Sequence, residues 1–79
     1  DYAKAQGWKP RARVIMTANA GDSPTLMLTA PTPAVRKVLK KAKMTLKDID
    51  LIEINEAFAA IPLKVMRDLD MDPDKVNVN

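Results

Sequence analysis

An apolar run that breaks into polar residues and then resumes at helical spacing narrows the choice of fold more than any other feature of this chain. It reads Leu51-Ile52-Glu53-Ile54-Asn55-Glu56-Ala57-Phe58-Ala59-Ala60. A run this short suits a strand, and the spacing that follows suits a helix, so the segment is a strand handing over to a helix. Polar groups at such a junction matter because ligands of open α/β sheets collect at the carboxyl ends of strands, beside helix N-termini.

The same alternation runs along the rest of the chain. Arg11 to Ala20 carries apolar side chains at both parities in its centre, which predicts a strand buried on both faces, as in a parallel sheet covered by helices. Gly21 breaks it, and Asp22 to Pro33, with three prolines, reads as a loop. Thr32 as N-cap and Pro33 at the first helical position predict a helix. Val35, Val38, Leu39 and Ala42 form its apolar stripe, with Arg36, Lys37, Lys40, Lys41 and Lys43 on the remaining face.

Thr45 to Asp48 reads as a turn or short helical connector and Leu51 to Ile54 as a second strand. A second helix, starting near Phe58, follows from Phe58, Ile61, Pro62, Val65, Met66 and Leu69. Pro62 belongs near its start, or the helix kinks there, since a proline deep in a helix costs about 3 kcal/mol. Asp72-Pro73-Asp74 makes a turn, and Val76 and Val78 open a third strand. Asp1 to Trp8 reads as the end of another helix, closed by Gly7 in the left-handed conformation. The chain starts without Met or the basic-then-apolar pattern of a secretory signal, so it is expected to begin inside a larger one.

These elements make one domain at most, of class α/β: a βαβαβ unit with a three-stranded, mainly parallel sheet. Right-handed crossovers put both helices on one face. The other face is then bare, and a larger protein or a second copy of the chain is expected to cover it.

Composition removes several kinds of chemistry. With no Cys and no His among 79 residues, the chain itself offers no disulfide, thiolate metal site, cysteine nucleophile or histidine base. No metal site is expected. No apolar run nears the roughly 20 residues that span a bilayer, so a soluble protein with no membrane partner is expected. The net charge of +3 and the lysine-rich helix face admit a stand-alone basic module for nucleic acid or an acidic partner. A solvated lysine face is the commoner meaning of that pattern, and nucleic acid would call for aromatic platforms that Tyr2, Trp8 and Phe58 do not make. Met16, Met66 and Met27 read as packing residues. Taken locally, Asn55 reads as an N-cap or turn residue and Phe58 as a core aromatic.

Taken with its flanks, Asn55-Glu56-Ala57-Phe58-Ala59 resembles a signature of the thiolases, and the chain resembles part of their carboxyl-terminal half. The resemblance covers nearly all 79 residues. Pro10-Arg11-Ala12-Arg13-Val14 is similar to that half's opening strand, and Pro31-Thr32-Pro33-Ala34 to the entry of its first long helix. Leu46 to Ile54 is similar to its connector and second strand, and Val76-Asn77-Val78-Asn79 to the segment before a Gly-Gly run.

The resemblance implies a fragment of an acyltransferase that joins acyl-CoA molecules by reversible Claisen condensation, or cleaves a 3-ketoacyl-CoA with coenzyme A, through an acyl-cysteine intermediate. Coenzyme A is then substrate, and no cofactor is bound tightly. The nucleophilic cysteine lies in the other half of such enzymes, and a Gly-His-Pro histidine and an acid/base cysteine lie downstream. None of the three is in this chain, so residues 1–79 alone are expected to be inactive and to need the remainder of a thiolase chain. The resemblance gives Asn55 the task of holding a water that, with the histidine, donates to the thioester oxygen. It places Phe58 in the wall of the acyl and pantetheine pocket and leaves Glu56 a structural role. It also implies a cytoplasmic homo-oligomer and no nucleic-acid partner. Pro62 departs from the pattern of many relatives.

Overall fold

In the computed structural model, which describes residues 1–79, most of the ordered structure is helical. Helix α1 spans Tyr2–Ala5, α2 spans Pro31–Ala42 and α3 spans Ala60–Leu69, with 3-10 turns at Leu46–Asp48 and Pro73–Lys75. Helix α1 ends as its glycine predicts. Gly7, at φ 69°, lets the Trp8 N–H reach the Ala3 carbonyl at 2.8 Å and the Gly7 N–H reach that of Lys4 at 3.0 Å.

The apolar stripe of α2 is half-buried throughout and all five predicted cations are exposed. Its start lies two residues earlier than expected. Pro31 is the first helical residue, Ala30 stands at the N-cap without a side-chain bond, and the first helical hydrogen bond runs from the Ala34 N–H to the Ala30 carbonyl at 3.1 Å. The physical reason is that a helix leaves its first four N–H groups unpaired, and Pro31 and Pro33 remove two of those four. Thr32 is thereby spared as a cap. It is buried, and its hydroxyl donates to Asp68 Oδ2 of α3 at 3.2 Å, while Arg36 Nη2 donates to the Asp68 carbonyl at 3.2 Å.

Helix α3 begins at Ala60, two residues past Phe58, which leaves Pro62 third in the helix, where its nitrogen has no intrahelical partner to lose. Met71, Ile61, Val65 and Val76 form the core, with Val35, Leu46, Ile52, Ile54, Met66 and Leu69 packed around it. Among these, Val65 is the one large side chain that is fully buried. The two turns hold as predicted. Asp48 accepts from the Thr45 N–H at 2.8 Å and from its hydroxyl at 3.0 Å, and Asp72 Oδ1 accepts from the Asp74 N–H at 3.0 Å.

The expected three-stranded sheet is reduced here to one parallel bridge between Ile52 and Val76, across α3. The Ile52 N–H donates to the Lys75 carbonyl at 2.8 Å and the Asn77 N–H to the Ile52 carbonyl at 2.9 Å. Arg11 to Ala20 makes no ladder, and Val14 is 79% and Ile15 63% exposed. No strand of residues 1–79 lies beside this segment. Lysines of α2 take that place: Lys41 Nζ donates to the Thr17 carbonyl and Lys37 Nζ to the Asn19 carbonyl, both at 2.9 Å. Two more expectations fail for the same lack of neighbours, since Met16 and Met27 are exposed rather than packed.

Candidate functional site

The junction that singled itself out in the sequence is a stretch without regular structure over residues 53–56, a bend at 57–58 and a turn into α3. Ala59 holds the N-cap of α3, so Asn55 does not serve there, and Asn55 is exposed. Phe58 is 64% exposed and is no core aromatic.

Two adjoining apolar grooves explain where these side chains lie. One, of about 590 Å³, is lined by Leu26, Met27, Leu28, Phe58, Ile61 and Lys64 among others. The second, of about 550 Å³, has Asn55 on its wall with Ala34, Val35 and Val65. Leu28 and Ile61 line both. Asn55 is therefore a polar group, donor and acceptor at once, on the wall of a mainly apolar concavity, a combination that suits orienting one polar atom of a ligand.

The loop that closes the first groove is strained. Met27 at φ 48° and Leu28 at φ 61° are left-handed in succession, at about 1–2 kcal/mol each for side chains of this kind. The Met27 N–H donates back to the Ser23 carbonyl at 3.1 Å. Nothing in the composition of residues 22–29 signalled this conformation.

Electrostatics around the helices are local. Lys64 Nζ sits 2.6 Å from Asp68 Oδ1, and this ammonium, helped by the Thr32 hydroxyl, holds the Asp68 carboxyl below its ordinary range. The Thr45 N–H and hydroxyl do the same for Asp48. No three His, Cys, Asp or Glu side chains come together.

Glu56 is held by a partner that the sequence did not indicate. Asn77 Nδ2 donates to Glu56 Oε1 at 2.7 Å and to the Ile54 carbonyl at 2.9 Å, and Asn77 Oδ1 accepts from the Ile54 N–H at 2.7 Å. In the sequence, Val-Asn-Val-Asn looked like strand alternation, and only an Asn at a position that a doubly buried strand would fill with an apolar residue hinted otherwise.

Residues 8–79 match the family model described as the thiolase C-terminal domain. The chain is 49% identical over 77 residues to the 3-oxoadipyl-CoA/3-oxo-5,6-dehydrosuberyl-CoA thiolase of Escherichia coli strain K12, covering 98% of this chain and 19% of the relative. It is 49% identical over 79 residues to an acetyl-CoA acetyltransferase of Paracoccus denitrificans, covering 100% of this chain and 20% of the relative. Human mitochondrial 3-ketoacyl-CoA thiolase superposes with a TM-score of 0.91 at 46% identity, over 100% of this chain and 20% of that one; the same enzyme in complex with CoA gives 0.90. The chain thus spans about a fifth of the length of the curated relatives it matches. Its backbone follows a segment of the thiolase-like fold, and no helix is long and apolar enough to cross a membrane.

Proposed function

This chain belongs to the thiolase family, and from that premise we propose that residues 1–79 are one fragment of the C-terminal domain of an acyltransferase acting on acyl-CoA. The reaction is a reversible Claisen condensation of two acyl-CoA molecules, or thiolysis of a 3-ketoacyl-CoA, through an acyl-cysteine. The observation that carries the reading is the Asn55-Glu56-Ala57-Phe58 junction lying within a match that runs from residue 8 to residue 79.

In the proposed mechanism, the nucleophilic cysteine, the acid/base cysteine and the histidine come from the remainder of the enzyme. Splitting the transfer into two covalent steps lowers each barrier, and the charge that develops on the thioester or enolate oxygen needs donors already in place. Asn55 supplies one of these through a water. An amide has a carbonyl acceptor and two N–H donors, so it fixes the orientation of such a water without adding a charge, and the water donates to the oxyanion. Phe58 forms part of the wall for the acyl and pantetheine portions of the substrate, and its exposed ring beside Leu26 and Leu28 supports that role. Coenzyme A is a substrate rather than a resident cofactor, in keeping with the complex of the human neighbour with CoA.

The same proposal completes the fold. In the whole enzyme, Arg11–Ala20, Leu51–Ile54 and the chain at Val76 belong to one mainly parallel sheet with α2 and α3 on one face. The remaining chain covers the apolar side chains of Val14 and Ile15, the assembly is a homo-oligomer, and its compartment is the cytoplasm. No observation favours a basic binding module, since Lys37 and Lys41 of the basic face are tied to backbone carbonyls.

The test is thiolysis of acetoacetyl-CoA by the full gene product. Turnover is expected, none by residues 1–79 alone, and Asn55→Ala in the full product is expected to lower kcat by about 10²–10³-fold, as for loss of an oxyanion donor. A full product without thiolysis activity on any 3-ketoacyl-CoA, or turnover by the isolated 79 residues, would overturn the reading.

A further inference from the structure

The proposal concerns the residue that holds the Asn55 loop, and it rests on the reading of Asn55 given above. We propose that Asn77 is a positioning residue for Asn55, acting as a side-chain substitute for the next rung of the sheet.

At Val76 the chain pairs with Ile52 through the backbone, the Ile52 N–H and carbonyl being bonded to Lys75 and Asn77. At Asn77 the backbone turns left-handed, φ 49°, and leaves the direction that would pair it with Ile54. The carboxamide takes over. It has the donor and acceptor of a peptide group, and it engages both the N–H and the carbonyl of Ile54, at 2.7 and 2.9 Å. Its second N–H bond, at 2.7 Å, goes to the Glu56 carboxylate.

The residues before and after Asn55 are thereby tied to a single amide that is itself half-buried. Asn55 projects from the one residue between two anchors. A group that orients a water toward a developing charge must be held to about 0.5 Å, and a misplacement of about 1 Å costs about 10²-fold in rate. The Asn77 clamp meets that need without touching the groove that Asn55 lines, since Asn77 is absent from its wall.

Asparagine is required on chemical grounds. A carboxylate of the same shape keeps the acceptor for the Ile54 N–H but sets an oxygen against both the Ile54 carbonyl and Glu56, where the amide donated. Protonation of that carboxylate would restore one donor.

The experiment uses the full gene product with Asn77→Asp, Asn55→Ala and the double change Asn77→Asp with Glu56→Gln. Steady-state acetoacetyl-CoA thiolysis is measured as a function of pH, with circular dichroism to count folded molecules. Asn77→Asp is expected to lower kcat per folded molecule by about 10²-fold at alkaline pH, with KM within about threefold of wild type. Relative to wild type, kcat should recover as the pH falls. Glu56→Gln, which can donate to the new carboxylate, should restore part of the loss at alkaline pH. A merely structural role would lower the folded fraction or the melting temperature and leave kcat per folded molecule unchanged, and that result would overturn the proposal. An Asn55→Ala variant as active as wild type would refute the reading of Asn55, and this proposal with it. A damaging Asn55→Ala beside a harmless Asn77→Asp would refute the positioning role alone.

Discussion

Residues 1–79 expressed on their own are expected to self-associate and to lack a cooperative unfolding transition. A compact folded chain of 8.7 kDa exposes about 4,700 Å². This one exposes 6851 Å², an excess of about 2,100 Å². Its radius of gyration is 15.2 Å, where a compact chain of this length has about 12 Å. Ordinary interfaces bury about 800 Å² a side, so the excess exceeds a typical docking patch more than twofold and resembles a core cut open. If about 58% of it is apolar, its exposure forgoes about 30 kcal/mol of burial, an upper figure that still exceeds the roughly 5–15 kcal/mol net stability of a domain. Light scattering should find masses above the monomer, and urea should produce a broad, non-sigmoidal change in circular dichroism. A monodisperse monomer with a single sharp transition would refute the reasoning.

Two further outcomes are expected for the full gene product. Val65→Ala removes two buried carbons from the best-packed position of α3 and should cost about 1.5–3 kcal/mol, read as a lowered urea midpoint; a loss under about 0.5 kcal/mol would mean that the core collapses around the gap. Asp68 is held below its ordinary value of 3.8 chiefly by Lys64. Its contribution is present above that value and fades as the pH falls through the depressed one, so Asp68→Asn should lower the melting temperature at neutral pH and cease to differ from wild type in strong acid. A difference that is the same at both ends would assign the effect to the amide's geometry rather than to charge.

Helix α2 shows what local pattern carries well. Its apolar stripe and five cations follow from a 3.6-residue period, and that period depends on neighbours within one turn. Its first residue was misplaced because Pro31 and Pro33 both suit an N-terminal turn, and the choice fell to Thr32 bonding Asp68, 36 positions away. Strand pairing fared less well, since a ladder needs a partner from elsewhere in the chain. Arg11 to Ala20 had the composition of a buried strand and has no strand beside it here, only lysines of α2. Asn55 and Phe58 were legible as members of an ordered signature. The two grooves on whose walls they stand, the left-handed pair Met27 and Leu28, and the Asn77 clamp were not.

The family, the absence of any thiol or imidazole chemistry within residues 1–79 and the stripes of both long helices follow from residue identity and short-range order. Tertiary structure alone decided which strands pair, where the concave surface lies and which side chain holds the Asn55 loop. Those outcomes depend on hydrogen-bond partners more than twenty residues apart in the chain, which are brought together only when α3 packs over Ile52 and Val76.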